Sequence, residues 1–141
     1  MIFTNLPMKK LLLIALLIVG CDSPTGSSTD AVGTYTMTTY IGYDTSNCSG
    51  QGNDGLAANP DVSITLILNA NGDATMIGES DEIAEPDYDY GSWTQSDNQV
   101  TLLFFDDLVT FTLSGNTLST QMSYESDSVG GYCNYIIFTK Q

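Results

Sequence analysis

The chain has no histidine and no arginine among its 141 residues, and only three lysines. Histidine is the side chain that ordinarily titrates near neutrality, and arginine supplies the planar fork that grips carboxylates and phosphates in two bonds. Their absence removes imidazole acid–base chemistry, the usual nucleophile–base pairs and bidentate anion recognition. Lys9 and Lys10 lie before an apolar run, so Lys140 alone accompanies the rest of the chain. All seventeen acidic residues follow Cys21, which sets one positive charge against seventeen negative, or −16, from that point on. Binding a phosphate backbone depends on neutralising it with Lys and Arg, so nucleic-acid partners are excluded. Three cysteines without any histidine are too few for a structural zinc site once one of them is spoken for. No apolar run approaches the roughly 20 residues that a spanning helix needs.

What the chain does have begins with its leader. Met8-Lys9-Lys10 precedes the apolar run Leu11 to Val19, about ten residues long, which ends in Ile18-Val19-Gly20-Cys21. A basic segment, a short apolar segment and small residues at a cleavage point make a secretory signal. The residues before Met8 add nothing to it, which places the expected start of translation at Met8. Ile18-Val19-Gly20-Cys21 resembles the lipobox of bacterial lipoproteins. The resemblance implies cleavage before Cys21, a diacylglycerol on its thiol and an acylated amine. Two or three acyl chains hold a protein durably where one does so only marginally. An ordinary cleaved signal and an uncleaved apolar anchor are the alternatives. Residues 1–20 thus read as a signal peptide, and 21–30 as a lipidated cysteine with a small, polar, flexible tether. The expected location is the bacterial cell envelope, with the domain held to a membrane outside the cytoplasm.

Residues 31–141 suit one domain with a modest core. Their apolar pattern has period two and is broken by turn residues about every ten positions, which signals an all-antiparallel sheet. Eight strands are expected: Val32 to Tyr43, with Tyr35, Met37, Ile41 and Tyr43 on one face, then Val62 to Leu68, Ala74 to Gly78 and Tyr90 to Gln95. Val100 to Phe105, Leu108 to Leu113, Leu118 to Tyr124 and Tyr132 to Thr139 complete them. Cys48 to Pro60 and Glu79 to Asp89 read as long loops, and Asp106-Asp107 as a tight turn. The fold class is therefore all-β, an eight-stranded antiparallel up-and-down barrel, with an open β-sandwich as the alternative. Cys48 and Cys133 remain for each other in a compartment where disulfides persist. A bridge between them joins the first strand's end to the last strand's start, neighbours if the sheet closes.

Gly33-Thr34-Tyr35 is similar to the Gly-x-Trp opening of the lipocalins. The succession Leu66 to Ala74, Gly91-Ser92-Trp93-Thr94, Val100-Thr101-Leu102 and Ser114-Gly115-Asn116-Thr117-Leu118 resembles the lipocalin-like domains of small bacterial lipoproteins. That resemblance implies a non-catalytic role, binding in most cases.

Four candidate sites follow. Tyr35, Met37, Ile64, Leu66, Met76, Trp93, Leu102, Phe104, Phe111, Leu113 and Met122 line an apolar cup for one small ligand or simply fill the core, and short strands favour filling. Glu79, Asp81, Glu82, Glu85, Asp87 and Asp89 offer oxygen ligands to calcium, although their spacing lacks the familiar calcium-loop pattern and suits a solvated surface. Hydrolysis by paired carboxylates needs two of them across a pocket, and the acids fall in loops and turns, so no enzyme is expected. Tyr40, Tyr43, Tyr88, Tyr90, Tyr124, Tyr132 and Tyr135 suit contact with an envelope protein, the alternative to a small apolar ligand.

Overall fold

A computed structural model of the chain describes residues 30–125 and 130–141. The expected signal peptide, Cys21 and nearly all of the tether lie outside the described residues. The described part is a closed, antiparallel barrel of eight strands with one short strand added outside. Strands β1 (Gly33–Tyr43), β3 (Ser63–Leu68), β4 (Asp73–Glu79), β5 (Asp87–Ser96), β6 (Gln99–Phe104), β7 (Asp107–Ser114), β8 (Thr117–Tyr124) and β9 (Tyr132–Lys140) pair in succession. The β9–β1 ladder runs from Tyr43↔Cys133 to Tyr35↔Lys140 and closes the ring. The β9–β1 pairing removes the two outer edges that these eight strands would have as an open sheet.

Period two places Leu66, Leu68, Val100, Leu102, Phe111, Leu113, Leu118 and Phe138 inside, where all are buried. Strand β1 departs from it. A bulge between Met37 and Thr39 adds one residue opposite β9 and flips the faces beyond it. Tyr40 therefore packs against the core. Ile41 and Tyr43, expected on the inner face, turn outward and lie against Gly52 instead. The expected loop from Cys48 to Pro60 contains strand β2 (Asn53–Asp54), paired to Ile41 and Gly42, and one helical turn α1 (Gly55–Ala58). Asp54 caps that turn, its Oδ1 accepting from the backbone N–H groups of Leu56 and Ala57 at 3.0 Å each. Cys48 and Cys133 form a disulfide with their Cα atoms 5.0 Å apart, fastening this segment to the start of β9.

The two barrel ends differ. Tight turns at one end are stitched to the strand beyond them: Trp93 N–H donates to the Gly72 carbonyl, Leu113 N–H to Asn98 and Lys140 N–H to Asn116, at 2.7–2.9 Å. Trp93 also donates from Nε1 to the Asn69 carbonyl at 2.8 Å. Buried Tyr35 plugs this end, its hydroxyl donating to the Ala31 carbonyl at 2.8 Å. Residues 30–32 and Lys140 arrive here, so the chain enters and leaves the barrel at the closed end.

The opposite end is looser. The β7–β8 ladder covers only Thr112↔Ser119 to Ser114↔Thr117, although each strand has eight residues. The β5–β6 ladder stops at Ser92↔Leu103, leaving Asp87 to Gly91 paired only to β4. Both gaps flank the β6–β7 hairpin, whose turn is Phe105-Asp106 rather than the expected Asp106-Asp107. Both turn residues have positive φ, 50° and 67°. Two-residue hairpins favour such a turn because it matches the strand twist, usually with Asn-Gly. Phenylalanine is costly there, and its side chain is 74 % exposed.

Candidate functional site: an apolar cavity with an acidic mouth

Where the two ladders part, the barrel holds a cavity of about 520 Å³. Leu102, Phe111, Ile136 and Phe138 form its apolar depth, with Phe111 and Phe138 edge to face at 5.9 Å. Met37, Met76 and Met122 line it from β1, β4 and β8. These are the three methionines that follow Cys21. Unbranched and polarisable, methionine side chains re-pack around irregular guests. Phe104, Phe105, Leu108 and Tyr124 stand around the opening with two carboxylates, Asp89 and Asp107. Among the described residues no Lys, Arg or His lines the cavity, and Lys140 lies at the closed end, 5.8 Å from the Tyr35 ring centroid.

Of the residues expected to line an interior cup, Met37, Met76, Leu102, Phe104, Phe111 and Met122 do so. Tyr35, Ile64, Leu66, Trp93 and Leu113 do not line it; they pack in the cluster that fills the rest of the barrel. The interior is thus part filled and part open. Val109, Ile136 and Phe138 also line it and were within reach of the same alternation, counted from Phe111 and along β9.

Asp89 and Asp107 were not expected at a cavity. Trp93 fixes the parity of β5, which carries Asp89 to the inner face and Tyr88 and Tyr90 to the outer one. Gly91 holds this stretch close to its neighbour: a Cβ there would meet the Leu103 carbonyl oxygen and the Phe104 ring. Tyr88 and Tyr90, expected at the surface, stack on the outer wall with their centroids 6.3 Å apart. Asp107 begins β7, in phase with Phe111 and Leu113. Neither carboxylate has a hydrogen-bond or ion-pair partner among the described residues.

The six acids proposed for calcium are not gathered. Among the described residues, no three His, Cys, Asp or Glu side chains are placed to hold one metal ion. Asp87 and Asp89 belong to β5 and Glu79 ends β4. Glu79 and Glu85 flank a shallow depression of about 200 Å³ beside Ile83 and Pro86. Asp81 and Glu82 are exposed.

The tyrosines divide as well. Tyr88, Tyr90, Tyr124 and Tyr132 are exposed, Tyr124 and Tyr132 stacking at 4.5 Å, whereas Tyr43 and Tyr135 are half-buried and Tyr40 packs on the core. Partial burial pushes the Tyr124 phenol up, and the charges of Tyr132, Asp107 and Tyr40 add to it. Burial first, then Asp30, does the same to Tyr35.

The geometry defines a closed eight-stranded antiparallel barrel with an apolar interior cavity open at one end. No protein-family model, curated protein or solved structure matches this chain.

Proposed function

We propose that this protein is a lipid-anchored lipoprotein of the bacterial cell envelope whose lipocalin-like barrel binds a small apolar molecule and catalyses nothing. The observation that carries the reading is the cavity of about 520 Å³, within the size range of small-molecule sites and lined almost wholly by apolar side chains. The anchor rests on the resemblance of Ile18-Val19-Gly20-Cys21 to a lipobox, and the described chain enters the barrel at residue 30, at the end opposite the mouth. The lack of His and Arg supports a binding role over a catalytic one.

The neutral fluorophore N-phenylnaphthylamine tests this directly. Titrated into the purified protein without detergent, it is expected to brighten and saturate at one site, with a Kd of about 1–100 µM for a ligand of this size. Met122→Trp, which fills the cavity from β8, is expected to weaken that binding at least about tenfold while the far-ultraviolet spectrum of the barrel persists. A wild-type protein that leaves the dye dark overturns the reading.

One observation favours a second reading. Tyr88 and Tyr90 stack on the outer wall, and on the same side of the barrel Leu103 faces Leu108 across the β6–β7 ladder, all four exposed. An exposed aromatic patch suits contact with an envelope protein. Under that reading Tyr88→Ser with Tyr90→Ser abolishes cross-linking to the partner, and cavity mutants do not.

A further inference from the structure

We infer that the ligand is a cationic amphiphile, an apolar body in the cavity with an ammonium group held at the mouth between Asp89 and Asp107. This rests on the binding reading above and specifies its ligand class.

Three independent features converge. The cavity takes a chain or ring system rather than a sugar or nucleotide, because its depth is formed by Leu102, Phe111, Ile136 and Phe138 with no polar group among them. A buried hydroxyl or amide there would lose its hydrogen bonds to water and find none in exchange. The mouth carries two carboxylates from different strands, β5 and β7, with no cation among the described residues to neutralise either. A fatty acid would set its own carboxylate against both. Finally, Phe105 and Tyr124 stand beside them at the opening. Aromatic faces attract a quaternary or protonated amine through the ring quadrupole. Carboxylates and aromatic faces around an apolar shaft are complementary to an alkylammonium and to no anion. The overall surplus of acid, −14 for the whole chain, raises the local concentration of any cation before it reaches the mouth.

The orientation follows from the topology. The apolar end of the ligand enters first, toward Phe111 and Phe138, and the ammonium stays at the gaps beside the β6–β7 hairpin, where water can still solvate part of it. Holding the charge at the rim avoids the cost of burying an ion.

The test uses three compounds with the same ten-carbon chain: decyltrimethylammonium, decanol and decanoate, each competing with N-phenylnaphthylamine on the wild-type protein below micelle-forming concentrations. The ammonium is expected to bind about tenfold or more tighter than decanoate in about 10 mM salt, with decanol between them. That spread should shrink several-fold in about 0.5 M salt, where exposed charges are screened. Asp89→Asn with Asp107→Asn should bring the ammonium to the affinity of decanol, whereas Asp73→Asn with Asp97→Asn, two acids at the closed end, should leave the spread in place. Equal binding of the three compounds, or tightest binding of decanoate, overturns the inference while the bound dye keeps the cavity reading intact. A spread lost equally with the closed-end pair also overturns it, because the preference then comes from the protein's whole field and not from the mouth. Failure of the dye and all three compounds to bind overturns both readings together.

Discussion

Replacing Cys48 and Cys133 together by alanine is expected to lower the unfolding free energy by about 4 kcal/mol. The bridge closes a loop of 85 residues. In the chain-entropy account a loop of that length restricts the unfolded chain by about 4–5 kcal/mol, and engineered bridges often give somewhat less. Alanine is chosen because Cys133 is fully buried and alanine removes the sulfur without adding a new polar group there. The bridge also fastens residues 44–58 to the outer wall beside Ile41 and Tyr43. Urea unfolding of the variant, and of the wild type under reductant, checks the number. A loss below about 1 kcal/mol in both would mean that the unfolded chain is little constrained by this link.

Phe138→Ala should cost about as much, 3–5 kcal/mol, by a different route. Phe138 is 1 % exposed and packs edge to face on Phe111, between the filled part of the barrel and the floor of the cavity. Truncation removes a large apolar side chain and enlarges a space that is already open, so neighbours have little to collapse upon. Its effect on the dye should be opposite to that of Met122→Trp: a roomier site that still takes the fluorophore, in a barrel that unfolds at lower urea. A variant as stable as wild type would show that the floor is not close-packed.

Much of the architecture follows from local pattern. The eight long strands stand within a few residues of where period-two alternation and turn chemistry place them, and the Cys48–Cys133 bridge joins the elements that closure makes adjacent. What departs does so for identifiable reasons. The bulge in β1 is invisible to alternation because Thr38 and Thr39 fit either face, so the reversal that brings Tyr40 in and sends Ile41 out is fixed only by pairing with β9. The hairpin turn falls on Phe105-Asp106 because cross-strand register pairs Phe104 with Asp107, overriding the poor suitability of phenylalanine for positive φ. Strand and helical turn inside Cys48 to Pro60 are too short to leave a periodic signal.

The cavity belongs to a different class of fact. Which residues point inward can be read from alternation, and six of the expected eleven do line it. How much space they leave depends on where neighbouring ladders stop, and no residue of β7 or β8 announces that their pairing ends after three positions. Asp89 is instructive, since Trp93 already fixes the parity that carries it inside. Acidic composition draws attention to the loop and away from that count. Two charged residues on an apolar inner face are the kind of local inconsistency that marks a site.

The most direct measurement is nuclear magnetic resonance of the purified protein with isotope-labelled methionine methyl groups, titrated with decyltrimethylammonium. Met37, Met76 and Met122, one each from β1, β4 and β8, all line the cavity, so they report on its interior from three sides. The account predicts that all three methyl signals shift together with one saturating isotherm and show intermolecular contacts to the alkyl chain. Methyl signals that stay put while the amides of Tyr88, Tyr90 and Leu103 move would place binding on the outer wall and contradict it.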